Sequence, residues 1–545
     1  MLIKAGAAQW RPWWARSDRL VYAARLVGHR QWIARLAEAH CHVDSIRPVK
    51  TPRCVLAALP SGRRVVLTAF ALLLLAAQPG CSNIRQNSVF SERGRPQWRR
   101  LVSASMQLLT DQPADKARSL AHRLERERMM VTQALDRLLG VHCDVADKQF
   151  DVVVLSRVAE LEGLVGPRNR AFRMARLRGL DPFDRIVLTG GGEDRFRFGL
   201  ALRALQACVP GAPAWLVGGV GQMFSGLSTA GPVLTVGRKV CGKGGQRNPG
   251  VKDILTVKEL PPSREDAEWF YRAAGRLVEL LSLTSQERLE QTRRLVAAIR
   301  EGTPAPRAWE IAFGSLSLDA LDRSVDSAET VSCLRDLGPI DRAGAEEMAE
   351  ELLTPADVRL LWASMTAQLD TDDGLRTAIR HAEEALRLQP KRVDALWRIA
   401  LAELFLGSTE AALSHAEEAL AIAPQSAFSH ILVAAVLLER RADDGASATR
   451  VRRLCDDAAA LASSAADKGL VANLLFRSGR FTEAESVADA ALVLDASCLN
   501  CLDALLRSAG ELRHLTRVFQ AARQLILVEP DPTRRQALVE LLEMQ

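Results

Sequence analysis

Few side chains of this 545-residue chain stand close enough together to do chemistry. Glu193, Asp194 and Cys208 bracket one helix-like run. They are the set from which a hydrolase would have to be built, with carboxylates to move a proton and a sulfur to attack. Cys498 and Cys501, in Cys-Leu-Asn-Cys, read either as an oxidised or redox-active pair or as two half-buried positions sharing a helix face. His40-Cys41-His42 has metal-ligand residue types but precedes an export segment. Gly237 to Gly245, GRKVCGKGG, imitates a phosphate loop as far as Lys243. Gly244 then stands where a Ser or Thr would hold magnesium, and no helix pattern follows, so a surface loop is the better reading. Thr189 to Arg195, TGGGEDR, reads as a tight turn opening a helix, its two carboxylates suited to the helix dipole and unsuited to an anion. No Ser-His-Asp or Cys-His set assembles from spacing.

The net charge of +7 invites a nucleic-acid reading until the charge is located. Residues 1–64 carry +9, residues 65–81 carry no charge, and 82–545 carry −2. No basic stripe with interleaved aromatics occurs in the remainder, so nucleic acid is not an expected partner. Arg63-Arg64 followed by Val65 to Ala77 has the basic and apolar regions of an export signal, too short for the ~20 residues of a spanning helix. Gly80-Cys81 follows and resembles a bacterial lipoprotein signal, which makes Cys81 the lipidation candidate. Gln78 and Pro79 depart from that pattern, and a cleaved signal or an uncleaved anchor are the alternatives. Residues 1–60 read as an extension ahead of the 61–81 signal, consistent with a true start near Val55; 82–97 reads as a linker. The expected setting is the cell envelope. The ten cysteines form no evenly spaced disulfide framework, and Cys143, Cys208, Cys241, Cys333 and Cys455 read as solitary.

Elements that could position a site run from 98 to 330 and read as an α+β domain. A long amphipathic helix carries Leu120, Leu124, Val131, Leu135 and Leu138 and stops at Gly140. FDVVVL, RIVLT and PVLTV are strands, and helices occupy Phe198 to Cys208, the run through Trp269, and the run through Leu295. Residues 331–355 read as a connecting helix.

The order and spacing of these pieces resemble the gluzincin-like (peptidase MA-like) domains found ahead of tetratricopeptide repeats in bacterial envelope proteins. GAPAWLVGGVGQMFSGL is similar to that family's Trp-Leu-x-Glu-Gly-x-Ala segment, and FYRAAGRLVELL to one of its closing helices. The resemblance implies a His-Glu-x-x-His helix with a third ligand, a Glu, on the next helix. Laid on this chain, the first His falls on Phe198, the base on Gly199, the second His on Leu202 and the third ligand on Gly218. None can bind metal or move a proton, and no His lies between His142 and His381. The expectation is a peptidase-like fold without catalytic machinery, without cofactor and without metal; an unrelated α+β domain is the alternative.

The last third repeats every 34 residues. His381 and His415 open HAEEALRLQP and HAEEALAIAP, Pro390 and Pro424 follow at the same offset, and Ala496 and Pro530 repeat it. A four-residue insertion falls near RADDGASATR. This period is the tetratricopeptide signature. It predicts about five helix pairs over 356–530 and a cap to 545, an all-α solenoid whose groove would take a protein or peptide. A packing module for the upstream domain is the alternative. The equivalence of His381 and His415 argues that neither is a special ligand. The function expected is non-catalytic partner binding or scaffolding at the membrane; the rivals are a hydrolase with a relocated site and a purely structural lipoprotein.

Overall fold

The computed structural model describes residues 97–142, 149–165, 171–174, 185–189, 192–209, 211–237, 250–257, 264–314, 316–327, 334–340, 348–367, 371–440, 445–529 and 532–543, and structural statements here concern these residues. All of them belong to one compact unit. The export segment with Cys81, His40 to His42 and residues 238–249 lie outside them.

A six-stranded mixed sheet organises the first part. Its strands are β1 (Arg99–Val102), β2 (Met106–Thr110), β3 (Phe150–Leu155), β4 (Ala171–Met174), β5 (Arg185–Thr189) and β9 (Ala349–Leu352). They lie in the order β4-β5-β3-β2-β1-β9. The three central strands β2, β3 and β5 are parallel, and the flanking β4, β1 and β9 are antiparallel. Residue alternation gives the sheet two faces. Leu108, Val152, Val154, Ile186 and Leu188 join one buried cluster with α1 (Ala114–Leu139) and α3 (Glu193–Cys208). The five leucines and valines predicted for the α1 stripe are buried there, and Gly140 ends the helix in the left-handed conformation with φ 67°.

Between β3 and β4 lies α2 (Val158–Val165); after α3 come α4 (Ala214–Phe224), β6 (Ser228–Ala230), β7 (Val233–Val236), α5 (Val251–Thr256), α6 (Arg264–Leu283), α7 (Gln286–Arg300), α8 (Ala305–Phe313) and α9 (Leu318–Ser327). Among the described residues of 331–355 the expected connecting helix is not formed. That segment supplies β8 (Arg335–Pro339), which completes a small sheet with β6 and β7, and β9, the edge of the large sheet. Its Ala, Glu and Leu content favours a helix. Charge pairing across the strands decides otherwise, with Arg99 to Glu350 at 2.7 Å, Arg100 to Glu351 at 3.0 Å and Arg118 of α1 to Glu350 at 2.6 Å. The α+β part therefore reaches to 352 rather than 330.

Eleven helices follow among the described residues: α10 (Pro355–Ala367), α11 (Asp372–Leu388), α12 (Val393–Phe405), α13 (Thr409–Ile422), α14 (Ala427–Arg440), α15 (Gly445–Leu461), α16 (Ala465–Arg477), α17 (Phe481–Leu494), α18 (Leu499–Glu511), α19 (Leu515–Val528) and α20 (Pro532–Glu543). They make five antiparallel pairs and a cap, a solenoid of the tetratricopeptide type, as the period predicts. Successive first helices start 34 residues apart at Val393 and Ala427, and 38 apart at Ala427 and Ala465, which puts the four-residue insertion in the third pair. Small residues let the second helices approach their neighbours. Ala378, Ala382 and Ala385 on α11 recur as Ala412, Ala416 and Ala419 on α13 and as Ala484, Ala488 and Ala491 on α17, all buried. In α15 the same row reads Val451, Cys455 and Ala458, so the buried free Cys455 occupies a packing position. Burial pushes its thiol up to about 11, which keeps it unreactive.

The first pair serves both halves of the molecule. Nearly all of α10 is buried, including polar Ser364 and Thr366; α11 packs along it, and towards the sheet its Leu360, Leu361 and Ser364 share a cavity wall with Leu109 and Arg185. Leu109 on the second sheet face lines one cavity with Leu360 and Leu361, and Arg185 on β5 donates to Ser364 at 2.5 Å. The far end of the solenoid also returns to the α+β part. On α20, Arg535 is 6% exposed and donates through Nη2 to the Ile299 carbonyl at 3.0 Å. Its guanidinium lies over Gly211, in the turn between α3 and α4, where φ is +75°.

Gly211→Ala would place a methyl on the Arg535 guanidinium and force Ala into the left-handed region, at a cost of about 1–2 kcal/mol for the backbone alone. The expected result is faster amide exchange in α20 with the other repeats unchanged. Arg535→Ala added to Gly211→Ala removes the collision, so the pair should cost less than the sum of the single changes in a double-mutant cycle. Strictly additive effects would show that the cap does not rest on this turn.

The two equivalent histidines have different surroundings. His415 Nδ1 lies 2.8 Å from Glu403, whereas His381 Nδ1 lies 3.3 Å from Arg359 Nη1 and its ring is 6.2 Å from that of Trp362. Burial, then Arg359 and Arg380, pull His381 down to about 4, with Glu384 opposing. A folded value below the ordinary 6.5 means that the unfolded chain binds the proton first. Stability from this group is full above pH 6.5 and is lost as pH falls towards 4, on the order of 3 kcal/mol. Unfolding of the first repeat measured between pH 7 and 4 should show this slope, and His381→Gln should flatten it.

Candidate functional site

Local sequence shapes the site before any ligand question arises. Helix α4 reads AWLVGGVGQMF and is buried over nine of its residues. Its glycines permit close crossings on two sides. A Cβ on Gly219 would come within 2.5 Å of the Ala274 carbonyl and of Val278 on α6, and one on Gly275 would meet Gln222 at 2.7 Å. On the other side a Cβ on Gly221 would meet the Phe198 ring at 3.0 Å and overlap Leu202, both on α3.

Three of the four positions singled out from the sequence come together in this crossing. Phe198 and Leu202 both face Gly221. The Phe198 ring stands edge-on to Tyr271 of α6 with centroids 5.1 Å apart, and a Cβ on Gly218 would meet that same Tyr271 ring at 3.0 Å. Gly199 turns away from them and lies against Ile186 of β5, where a Cβ would make ordinary contact at 3.4 Å. An aromatic edge pair and a leucine thus occupy the place where Phe198, Leu202 and Gly218 converge. Burial pushes the Tyr271 hydroxyl up to about 12, so it stays protonated. Among the described residues no three His, Cys, Asp or Glu side chains are grouped to hold a metal.

The hydrolase set does not assemble. Asp194 is exposed on the first turn of α3 and lies 3.9 Å from Arg195, and Cys208 ends the same helix about 20 Å away. Cys208 is not solitary but disulfide-bonded, which removes it as a nucleophile. Glu193 opens α3, and its side chain is outside the described ones. Cys498 and Cys501 are also joined by a disulfide, at the N-cap and first turn of α18, and pack against Gly469 of α16. Of the two readings of that pair the oxidised one holds; Cys498 is the N-cap rather than a position on the helix face, and both cysteines are buried rather than half-buried.

Sequence reasoning did not single out Tyr271, which lay inside a quoted helix, or the Arg197 staple. Arg197 pairs with Glu127 of α1 at 2.8 Å and donates to the Ser225 carbonyl at the end of α4 at 3.0 Å. Only contacts from three separate segments identify such residues.

The fold defines a class: an α+β domain completed by, and clasped between the ends of, a tetratricopeptide-type solenoid. No protein-family model matches the chain. No curated protein matches it. Among solved structures it is similar to TTC0263, a tetratricopeptide protein of Thermus thermophilus, at 18% identity and a TM-score of 0.30, covering 34% of this chain and 99% of that one. It is similar to yeast Tom70 at 13% identity and a TM-score of 0.30, covering 78% and 84%. YrrB, a tetratricopeptide protein with an unusual peptide-binding site, is 14% identical with a TM-score of 0.25, covering 33% and 90%.

Proposed function

We propose that this chain is a non-catalytic envelope protein, held at the membrane by its N-terminal segment, that binds or scaffolds a protein partner. In this reading the α+β part is a peptidase-like domain whose metal position is filled, and the solenoid supplies the binding face. One observation carries it: the three positions expected to hold metal meet in space, yet present Phe198 and Gly218 against Tyr271 and Leu202 beside Phe198 at Gly221. The disulfides at Cys208 and at Cys498–Cys501 fit an oxidising compartment outside the cytosol. No helix among the described residues is long and apolar enough to cross a membrane, so in this reading anchoring falls to the segment ending at Cys81.

Because α10 is spent on the sheet, partner binding falls mainly to the first helices of the later pairs. Their neighbouring faces are tied side by side. Trp397 donates to Ser429 at 3.0 Å and stands edge-on to Phe428, and Arg507 bonds Asn473 and lies 4.7 Å over the Phe476 ring. Aromatic and arginine side chains held in this way are the types that anchor interfaces at low entropic cost.

The test is a peptide array probed with the full chain, followed by incubation of the bound peptides with and without zinc. Saturable capture without cleavage is expected. Zinc-dependent hydrolysis that chelation abolishes would overturn the reading.

A further inference from the structure

The disulfide Cys498–Cys501 joins residues only three apart, at the start of a helix. A cross-link that closes so short a loop removes little freedom from the unfolded chain, so stability is a weak reason for it. Its two sulfurs are unequally placed. Cys498 is the N-cap of α18 and keeps 9% of its surface, next to the exposed Ala496 and Ser497. Cys501, in the first turn, is fully buried. An attacking thiolate therefore reaches Cys498 first. The sulfur that must leave is Cys501, at the positive end of a helix, where a thiolate is stabilised. The Ala465 carbonyl oxygen of α16 lies 3.6 Å from Cys498 Sγ and 3.3 Å from Cys501 Sγ. It offers an acceptor to a thiol and none of use to a disulfide, which has no hydrogen to donate.

Behind the sulfurs stands Gly469 of α16. A Cβ there would meet Cys501 Sγ at 2.8 Å and Cys498 Sγ at 3.3 Å. Two thiols need more room than one disulfide, because unbonded sulfurs separate to van der Waals contact and each gains a hydrogen. One turn further along α16, Asn473 donates to the Asn500 carbonyl of α18 at 3.1 Å and accepts from Arg507. These ties cross the same boundary and belong to the face ascribed above to partner binding. We propose that Cys498–Cys501 is a site of thiol–disulfide exchange with a protein dithiol, and that its reduction parts α16 from α18 and weakens partner capture on that face. The consequence for capture rests on the reading of the solenoid as a binding surface; the exchange itself does not. One thiolate of the dithiol attacks Cys498 Sγ, the Cys498–Cys501 bond breaks, and Cys501 leaves with the electron pair and takes up a proton. The second thiol of the dithiol then attacks its partner sulfur in the mixed disulfide, and Cys498 leaves and is protonated. The dithiol has given two electrons and two protons to the chain and is itself a disulfide.

Dithiothreitol, a small dithiol, tests this on the full chain, with alkylation and mass spectrometry locating the opened cysteines. The pair should open while circular dichroism still shows a folded chain. Amide exchange in α16 and α18 should then rise at least tenfold relative to the other repeats, and peptide capture on the array should fall at least tenfold. The direction of attack is read from single variants given oxidised glutathione. Cys501→Ser, which leaves Cys498, should take up one glutathione at least tenfold faster than Cys498→Ser. A pair that opens only when the chain unfolds overturns the proposal, as do equal glutathione rates or amide exchange unmoved by reduction. Dithiothreitol also acts on the disulfide at Cys208, so Cys498→Ser combined with Cys501→Ser serves as control. That variant should be indifferent to the reductant, and a response equal to the native chain's overturns the assignment to this pair. The two readings fail separately. Opening and faster exchange with no peptide captured by either redox form would sink the partner reading alone. Peptide capture identical in the oxidised and reduced chains would sink the redox reading alone.

Discussion

Gly219→Ala is expected to destabilise the α+β part by about 2–3 kcal/mol, whereas Gly199→Ala, one helix away, is expected to be neutral or mildly stabilising. Both glycines are helical, and each change recovers up to about 1 kcal/mol of helix propensity. The difference lies in what the new methyl meets. At Gly199 it meets Ile186 at 3.4 Å, an ordinary contact. At Gly219 it meets the Ala274 carbonyl oxygen and Val278 at 2.5 Å, and a backbone oxygen inside α6 cannot step aside. The helices must separate, opening voids around Phe270 and Leu277, which are fully buried. Overpacking of this kind costs about 1–3 kcal/mol and more where backbone is struck. Amide exchange in α4 and α6, together with urea unfolding followed by total tryptophan fluorescence, to which Trp215 on the same helix contributes, gives the comparison. Equal effects of the two changes would mean that α4 and α6 are not this close.

The parts of this architecture that were legible in the sequence are those set by local periodicity. The α1 stripe, the strands FDVVVL and RIVLT, and the 34-residue period each declare themselves within their own segment, because burial of one face imposes the pattern. β9 did not, because all four residues of AEEL lie on the exposed edge and carry no alternation of buried and exposed positions. It is a strand because its backbone pairs along β1, with Arg99 and Arg100 meeting Glu350 and Glu351 at the edge. α10 shows the reverse problem. Its apolar residues were counted as the start of a repeat, which is correct, but they run all round the helix, and this is the trace of its second role under the sheet. Of the candidate site, sequence marked Phe198, Leu202 and Gly218 through a family frame. It did not mark Tyr271, whose ring meets Phe198 and lies over Gly218. The return of Arg535 to Gly211 spans more than 300 residues and leaves no local trace at either end.

Placing metal-ligand side chains at the three converging positions should create a zinc site. In Phe198→His, Leu202→His and Gly218→Glu combined, two imidazoles one turn apart on α3 would face a carboxylate from α4, the donor set of a three-ligand zinc site with one open position. The structure offers one obstacle, the Tyr271 ring at 3.0 Å from a Cβ added at Gly218, so the combination is best made with Tyr271→Ala. Replacing a half-buried Phe and a buried Leu with His should cost a few kcal/mol without metal, from lost burial and from imidazoles placed among apolar neighbours. Zinc binding the folded form alone offsets that loss by RT ln(1 + [Zn]/Kd), about 4 kcal/mol at a thousandfold excess over Kd. The expected outcome is therefore a variant of low stability that takes up one equivalent of zinc and unfolds at a clearly higher temperature with it, whereas the two-His variant that keeps Gly218 shows little of either effect. Gly199→Glu is left out, because that position turns away from the other three towards Ile186 of β5 and would not aim a carboxylate at the metal. A folded triple-ligand variant that holds zinc no better than the native chain would show that these positions meet without the geometry of a metal site. The resemblance would then reach no further than the order of the elements, and the packing of Phe198 on Tyr271 would be that of an ordinary core.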